Sequence, residues 1–312
     1  MSTTVGFLIT SYDKPTQLTR LMQRLKKLYD DPPIACHHDY TKSLLNRDDF
    51  PREVEFLYPS LEPRWGRISL CHAFFALLRT MLQRADCPEW FVFLSGTDYP
   101  VRPAKTVLDQ LASAGFDAYL DHRLIEYPWT PDPSVQYAPH AFDSDHWVPL
   151  AYDRYVAVHP FLPWYSWSRR KPIKIPIGTI RSKLLAGQFN PFSKTVKCYG
   201  GSGWFTLNRK AAERLIAASP ENLKLLAHYS RRFIPDESLP HSILCNQPDL
   251  KIANDDLRYI DWSQGGHHPK ILGMEDVPGI LKSGAHFARK FDLTKGAEVF
   301  DAIDAAVDAA SQ

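Results

Sequence analysis

Five consecutive large apolar residues, Trp90-Phe91-Val92-Phe93-Leu94, run without polar alternation and end abruptly in Ser95-Gly96-Thr97-Asp98-Tyr99-Pro100. A strand wetted on one side would alternate, so this run predicts a central strand buried on both faces, as in a parallel sheet covered by helices. The start of the chain follows the same pattern. Val5-Gly6-Phe7-Leu8-Ile9-Thr10 is a short apolar run that stops at Ser11-Tyr12-Asp13, and Pro15 suits a first helical turn, where its missing N–H is not needed. Leu18, Leu21, Met22, Leu25 and Leu28 then recur at helical spacing, with Arg24, Lys26 and Lys27 on the opposite face. Strand followed by helix at this point predicts an α/β fold with a doubly wound, mostly parallel sheet.

The rest of the chain extends that pattern. Ile34-Ala35-Cys36-His37-His38-Asp39 reads as a second strand with Asp39 at its carboxyl end, the edge where open α/β sheets place ligands. A short strand is predicted around 54–57. Arg64-Trp65-Gly66 opens a helix with Leu70, Phe74, Leu77, Leu78 and Met81 on one side. A helix over 104–114 stopped by Gly115, a strand over 116–120 and a strand over 203–207 follow, the last leading to Asn208 as N-cap of a helix through Ala217. Leu257-Arg258-Tyr259-Ile260 is strand-like, and the tail after Lys295 reads as one terminal helix. Between 124 and 200 prolines and aromatics dominate, as in Tyr127-Pro128-Trp129-Thr130-Pro131 and Pro163-Trp164-Tyr165-Ser166-Trp167. Long irregular stretches of this kind serve as substrate-side loops. One domain is expected, with a first half over 1–123, an irregular region over 124–200, a second half over 201–292 and a C-terminal helix over 293–312.

A chain of 312 residues with 44% hydrophobic and 23% charged residues can bury a large core. Its net charge of +2 and lack of a long basic block argue against a nucleic-acid partner. The five cysteines (Cys36, Cys71, Cys87, Cys198 and Cys245) are odd in number and show no C-x-x-C spacing, so a reducing compartment is expected rather than a disulfide framework or zinc ribbon. Met1-Ser2-Thr3-Thr4-Val5 lacks the basic and long apolar regions of a secretory signal, and no apolar run approaches the ~18 residues that span a bilayer. The expected location is cytoplasmic. Peripheral membrane contact enters through Arg169-Arg170-Lys171, Lys174, Arg181 and Lys183, which follow Trp164–Trp167 and read either as a membrane or anionic-acceptor patch or as a solvated face.

Pro235-Asp236-Glu237-Ser238 has two readings: a helix start with acids in its first turn, or a carboxylate placed to take a proton from a hydroxyl. Downstream, Arg258 has apolar neighbours and Lys290 sits between Phe287 and Phe291. Such cations need a partner, either a ligand diphosphate or internal carboxylates such as Asp261 and Asp292. Tyr199-Gly200-Gly201-Ser202-Gly203 leads into a strand and so lacks the helix start of a phosphate loop. It reads as a tight turn or as backbone approaching a sugar. Asp143-Ser144-Asp145 beside His146 matches a D-x-D metal pattern but follows no buried strand, and His37-His38 and His267-His268 lack partners at ligand spacing, so no metal site is predicted.

In order along residues 5–292, six segments carry a resemblance. They are Arg64-Trp65-Gly66 with Ser69-Leu70; Phe93-Leu94-Ser95-Gly96-Thr97-Asp98-Tyr99-Pro100; Gly201-Ser202-Gly203-Trp204-Phe205; Pro235-Asp236-Glu237-Ser238; Leu257-Arg258-Tyr259-Ile260-Asp261-Trp262; and Phe287-Ala288-Arg289-Lys290-Phe291-Asp292. Together they resemble the core-2/I-branching β-1,6-N-acetylglucosaminyltransferase and peptide O-xylosyltransferase family. The resemblance implies a GT-A-like fold with an irregular acceptor-side insertion, and metal-independent inverting transfer of N-acetylglucosamine or xylose from a UDP-sugar, with no cofactor. It implies Glu237 as general base, Arg258 and Lys290 at the diphosphate and Asp39 at the nucleoside. Trp65, Asp98, Ser202, Trp204 and Asp236 are expected around the donor and acceptor pocket. Animal members resemble membrane-anchored lumenal proteins with disulfides. This chain shows neither feature, which favours a surface-polysaccharide or lipid-linked acceptor over a protein one. Two rival expectations are a glycoside hydrolase using Asp98 and Glu237 as its carboxylate pair, and a carbohydrate-binding protein that has lost the chemistry.

Overall fold

A computed structural model describes residues 3–58, 60–113, 115–126, 144–157, 190–265 and 268–311. Its main sheet has seven strands: β1 (Val5–Ser11), β2 (Ile34–His38), β3 (Glu55–Phe56), β4 (Trp90–Ser95), β6 (Ala118–Leu120), β9 (Phe205–Asn208) and β10 (Ile252–Ala253). Their order is β10-β6-β9-β4-β1-β2-β3. β1 pairs in parallel with β2 and β4, β2 with β3, and β6 with β10. β9 runs antiparallel between β4 and β6.

The period-two alternation of side chains explains why the central strands carry no polar face. In β1, Phe7 and Ile9 point into one core with Leu18, Leu21 and Leu25 of helix α1 (Pro15–Leu28) and Phe300 and Ile303 of the terminal helix Ala297–Ala309. Leu8 faces the other way, and with Phe91 and Phe93 of β4 it packs on Cys71, Phe74 and Leu78 of helix α2 (Ile68–Leu82). Helices on both faces make the sheet doubly wound, as expected.

Several element ends differ from the sequence reading. The helix expected over 104–114 is α3 (Ala104–Ala112), the strand expected over 203–207 begins at Phe205, and Asp39 lies just beyond β2. Asn208 caps its helix as expected, accepting from the Ala211 N–H, and that helix ends at Ile216. The strand over 257–260 forms, as β11 (Arg258–Ile260), but in a separate sheet with β12 (Phe287–Arg289) and β5 (Tyr99–Pro100), while β7 (Arg123–Leu124) and β8 (Tyr199–Gly200) pair in a third. Within 124–200, expected to be irregular, Ser144–Ala151 is helical and continues into a π-helical turn, Tyr152–Val156. Its Val148 and Tyr155 are buried in the second core because the segment presents apolar residues to it. Asp143, the side chains of Asp145 and His146, the aromatics at 127–131 and 163–167, the basic residues from Arg169 to Lys183, and His267 lie outside the described residues. All five cysteines are free. Among the described residues no helix is long and apolar enough to cross a membrane.

Candidate functional site

The parallel strands β1, β2 and β4 end together, and a cleft of about 850 Å³ opens along that edge. Thr10 and Ser11 from β1, Asp39 after β2, Ser95 and Gly96 from β4, and Ser202 to Trp204 leading into β9 form one part of its wall. Asp236 and Glu237, and with them Arg258 and Lys290, also line it. Three groups that the sequence reading placed far apart along the chain (Glu237, Arg258 and Lys290) thus share one cleft with Asp39, Ser202, Trp204 and Asp236. Trp65 stands at the mouth, 66% exposed, with Phe233 edge-on at 5.1 Å.

Glu237 ends a 3-10 turn, Pro235–Glu237, which is stitched to the glycine segment. The Gly201 N–H donates to the Glu237 carbonyl at 2.9 Å, and the Ser238 hydroxyl donates to the Tyr199 carbonyl at 2.6 Å. A Cβ on Gly200 would come within 2.8 Å of the Glu237 carbonyl oxygen, and one on Gly201 within 2.1 Å of the Asp121 carbonyl oxygen. These glycines are therefore required for close backbone approach within the protein.

Burial and the neighbouring Asp236 carboxylate push the Glu237 carboxyl up to about 8, against the pull of Arg154. Arg154 reaches Glu237 Oε2 at 3.3 Å from the π-helical turn, and burial raises Asp236 itself to about 6. A carboxyl held near neutrality beside a cleft has the properties of an acid–base group.

The cations occupy a different part of the same cleft. Arg258 is 4% exposed, and its guanidinium donates to the Asp256 carbonyl at 2.9 Å and the Phe93 carbonyl at 3.0 Å while lying 4.9 Å from the Phe287 ring centre. It is thereby locked to the carboxyl end of the central strand. Arg289, which the sequence reading missed, also lines the cleft. Its guanidinium sits 4.1 Å from the centre of the Trp204 ring, and that ring stacks on Phe93 at 5.2 Å. Burial pushes the pKa of Arg258, Arg289 and Lys290 downward, with Arg289 adding repulsion at Lys290. Arg289 and Lys290 both line the cleft although they are consecutive, because the strand ends at Arg289 and its alternation does not extend to Lys290.

Asp98 requires a correction. It is 1% exposed and does not line the cleft. Its carboxylate accepts from the Ser95 N–H and hydroxyl and pairs with Arg289 Nε at 3.2 Å. It holds the turn after β4 and orients Arg289, and it cannot serve as the second carboxylate of a hydrolase pair. Asp39 lines the cleft, with Oδ1 accepting from the Thr41 N–H at 3.0 Å and hydroxyl at 2.6 Å. Asp292, one of the internal carboxylates offered as a partner for the cations, pairs with Lys14 at 2.9 Å. His37 accepts from the Leu61 N–H, and His38 bonds Ser11 and the Ser43 carbonyl. Among the described residues no three His, Cys, Asp or Glu side chains are grouped to hold a metal ion. Arg154, Asp121 and Asp256 also line or reach the site and were not singled out from sequence, because only the folded chain brings them beside Glu237 and Ser202.

A family model described as Core-2/I-Branching enzyme matches residues 153–280, the stretch that holds Arg154, Trp204, Glu237 and Arg258. Over that stretch the chain is similar to the Core-2/I-branching enzyme family. Xylosyltransferase 1 of Mus musculus is 25% identical over 313 residues, covering 91% of this chain and 29% of that protein. Xylosyltransferase 1 of Homo sapiens is 24% identical over 313 residues, covering 92% and 29%. Beta-glucuronosyltransferase GlcAT14A of Arabidopsis thaliana is 30% identical over 137 residues, covering 41% of this chain and 30% of that protein. The chain spans about a third of the length of these curated relatives. The family and the doubly wound sheet implied by the six sequence segments agree with these findings.

Proposed function

We propose that this chain is an inverting glycosyltransferase that moves N-acetylglucosamine or xylose from a UDP-sugar to an acceptor hydroxyl without a metal. Glu237 takes the proton of the hydroxyl as its oxygen attacks the anomeric carbon, and the bond to UDP breaks on the opposite face. Arg258, Arg289 and Lys290 carry the charge that develops on the departing diphosphate, work that preorganised cations do well in a site shielded from water. Asp39 meets the nucleoside, Trp204 and Ser202 border the transferred sugar, and the exposed Trp65 offers its ring to a glycan or lipid-linked acceptor. The five unpaired thiols suit a reducing, cytoplasmic setting.

The observation that carries this reading is the single cleft shared by Glu237, Arg258, Lys290 and Asp39 at the carboxyl edge of the sheet. A thermal-shift screen against UDP, UDP-N-acetylglucosamine, UDP-xylose, UDP-glucose and UDP-galactose, with and without chelator, tests it. Binding at 100 times Kd adds about 2.7 kcal/mol of stability. A rise in Tm with UDP and a donor sugar that survives EDTA is the expected result. No response to any nucleotide would leave a glycan-binding protein, and a response abolished by EDTA would end the metal-free mechanism.

A further inference from the structure

Between the base and the cations, the floor of the cleft is acidic. Gly201 is bonded to Glu237 at one end of the Gly201–Trp204 segment, and Trp204 lies on Arg289 at the other. Asp121 and Asp256 line the cleft beside the intervening Ser202 and are 2% and 5% exposed. Asp121 Oδ2 accepts from Arg123 at 2.8 Å and from the Ser202 N–H at 3.3 Å, whereas its Oδ1 is buried and has no hydrogen-bond partner among the described residues. Asp256 Oδ1 accepts from the Arg258 N–H at 3.0 Å. Burial and the Asp121 charge push the Asp256 carboxyl up to about 7.

A buried acceptor left unmatched is destabilising and a carboxylate oxygen accepts, so the unmatched Asp121 Oδ1 calls for a hydroxyl donor. In an in-line displacement the transferred ring must lie between the attacking hydroxyl at the base and the departing diphosphate at the cations. The Gly201–Trp204 segment runs from one to the other, and these two carboxyls lie beside its Ser202. We propose that Asp121 and Asp256, with Ser202, bind the hydroxyls of the transferred sugar and select a neutral sugar over a uronic acid. The diphosphate occupies the cleft cations and Arg123 is committed to Asp121, so a uronate carboxylate would meet the carboxyls of the floor with its own charge unmatched, in a site where such repulsion is weakly screened. This inference rests on the glycosyltransferase reading above.

Calorimetry on the full chain with UDP, UDP-glucose, UDP-xylose and UDP-glucuronate tests it, the readout being each donor's affinity relative to UDP alone. At least one neutral donor should bind at least tenfold tighter than UDP-glucuronate. Asp256→Asn, whose amide oxygen can still accept from the Arg258 N–H, should narrow that ratio severalfold, and so should Asp121→Asn. UDP binding with UDP-glucuronate equal to or tighter than every neutral donor would overturn the inference alone, as would an unchanged ratio in a folded Asp256→Asn. Failure of UDP itself to bind would overturn the underlying reading and this inference with it. The wild-type comparison decides the matter even where a variant does not fold.

Discussion

Replacing Glu237 by Gln should disable the chain and stabilise it together. The Glu237 carboxyl is raised from 4.5 to about 8, chiefly by burial and then by Asp236. An acid raised in this way keeps its proton in the folded chain after the unfolded chain has released it. Its contribution to stability is present below about pH 4.5 and is lost as pH climbs toward about 8. At pH 7 the gap from 4.5 is about 2.5 units, or about 3 kcal/mol at roughly 1.4 kcal/mol per unit. The side chain is 23% exposed, and solvent screening reduces this to about 1–2 kcal/mol. Gln carries no charge at any pH, and its carbonyl oxygen can still accept from Arg154. Glu237→Gln should therefore melt about 2–5 °C above wild type at pH 7 and within about 1 °C of it at pH 5. In the same preparation turnover should fall by about 10²–10⁴ while UDP binding persists. Paired melting curves at the two pH values decide the matter. An equal difference at both would place the effect in packing and refute the ionisation reasoning, and undiminished turnover would remove Glu237 from the role of base.

Arg154→Gln removes the cation that holds Glu237 down, so the rising limb of kcat/KM should move to higher pH. A loss of up to about tenfold at pH 7 should be recovered near pH 9, and an unmoved limb would separate Arg154 from the base. Lys290→Ala should weaken UDP binding by about 10–100-fold in calorimetry. In wild type the same affinity should decline at alkaline pH sooner than an ordinary lysine would allow, because burial and Arg289 push the Lys290 ammonium down; a flat profile would exclude Lys290 from the diphosphate. Gly201→Ala should lower Tm by several degrees, since its Cβ would meet the Asp121 carbonyl oxygen at 2.1 Å and the stitch to Glu237 must shift. A variant that melts with wild type would show that the segment has more freedom than its packing implies.

What was legible in the sequence was local. Strands of five to seven residues such as Val5–Ser11 and Trp90–Ser95 carry enough periodicity to announce themselves, and Asn208 announces its helix by cap chemistry. Two-residue strands such as Tyr99–Pro100 and Ile252–Ala253 carry no period, because they form only where another strand offers a ladder. The short helix Leu239–Leu244 was hidden for a similar reason. All six of its residues are buried, so it has no polar face to set against an apolar one. In the site, the residues around Glu237 and Lys290 left two readings for each, and the family resemblance is what drew attention to the two residues that line one cleft. Arg258 was legible as a buried cation, but its attachment to the Phe93 carbonyl was not, since that contact spans 165 residues. Asp98 looked like chemistry because it follows a strand end. Its neighbours Ser95 and Arg289 consume it, which a linear pattern cannot display.

The same burial acts in opposite directions along the cleft, and that contrast identifies the kind of ligand it suits. At one end burial works against the positive forms of Arg258, Arg289 and Lys290, and at the other against the negative forms of Asp236, Glu237 and Asp256. A simple anion would relieve the first imbalance and worsen the second. A neutral glycan could donate hydroxyls to the carboxyls but would bring no negative charge to the cations, of which Arg289 already has Asp98. In the proposed reading a molecule with a diphosphate joined to a hydroxyl-rich ring addresses both ends at once, with Arg258 tied to Asp256 and Phe93. This supports a nucleotide-sugar over either half alone. It also explains why the protein can keep so many ionisable side chains in one wall: each is partly held by a fixed neighbour, Arg154 for Glu237, Asp98 for Arg289 and the Arg258 N–H for Asp256. What remains of each desolvation cost is available to be offset by substrate, and so favours binding.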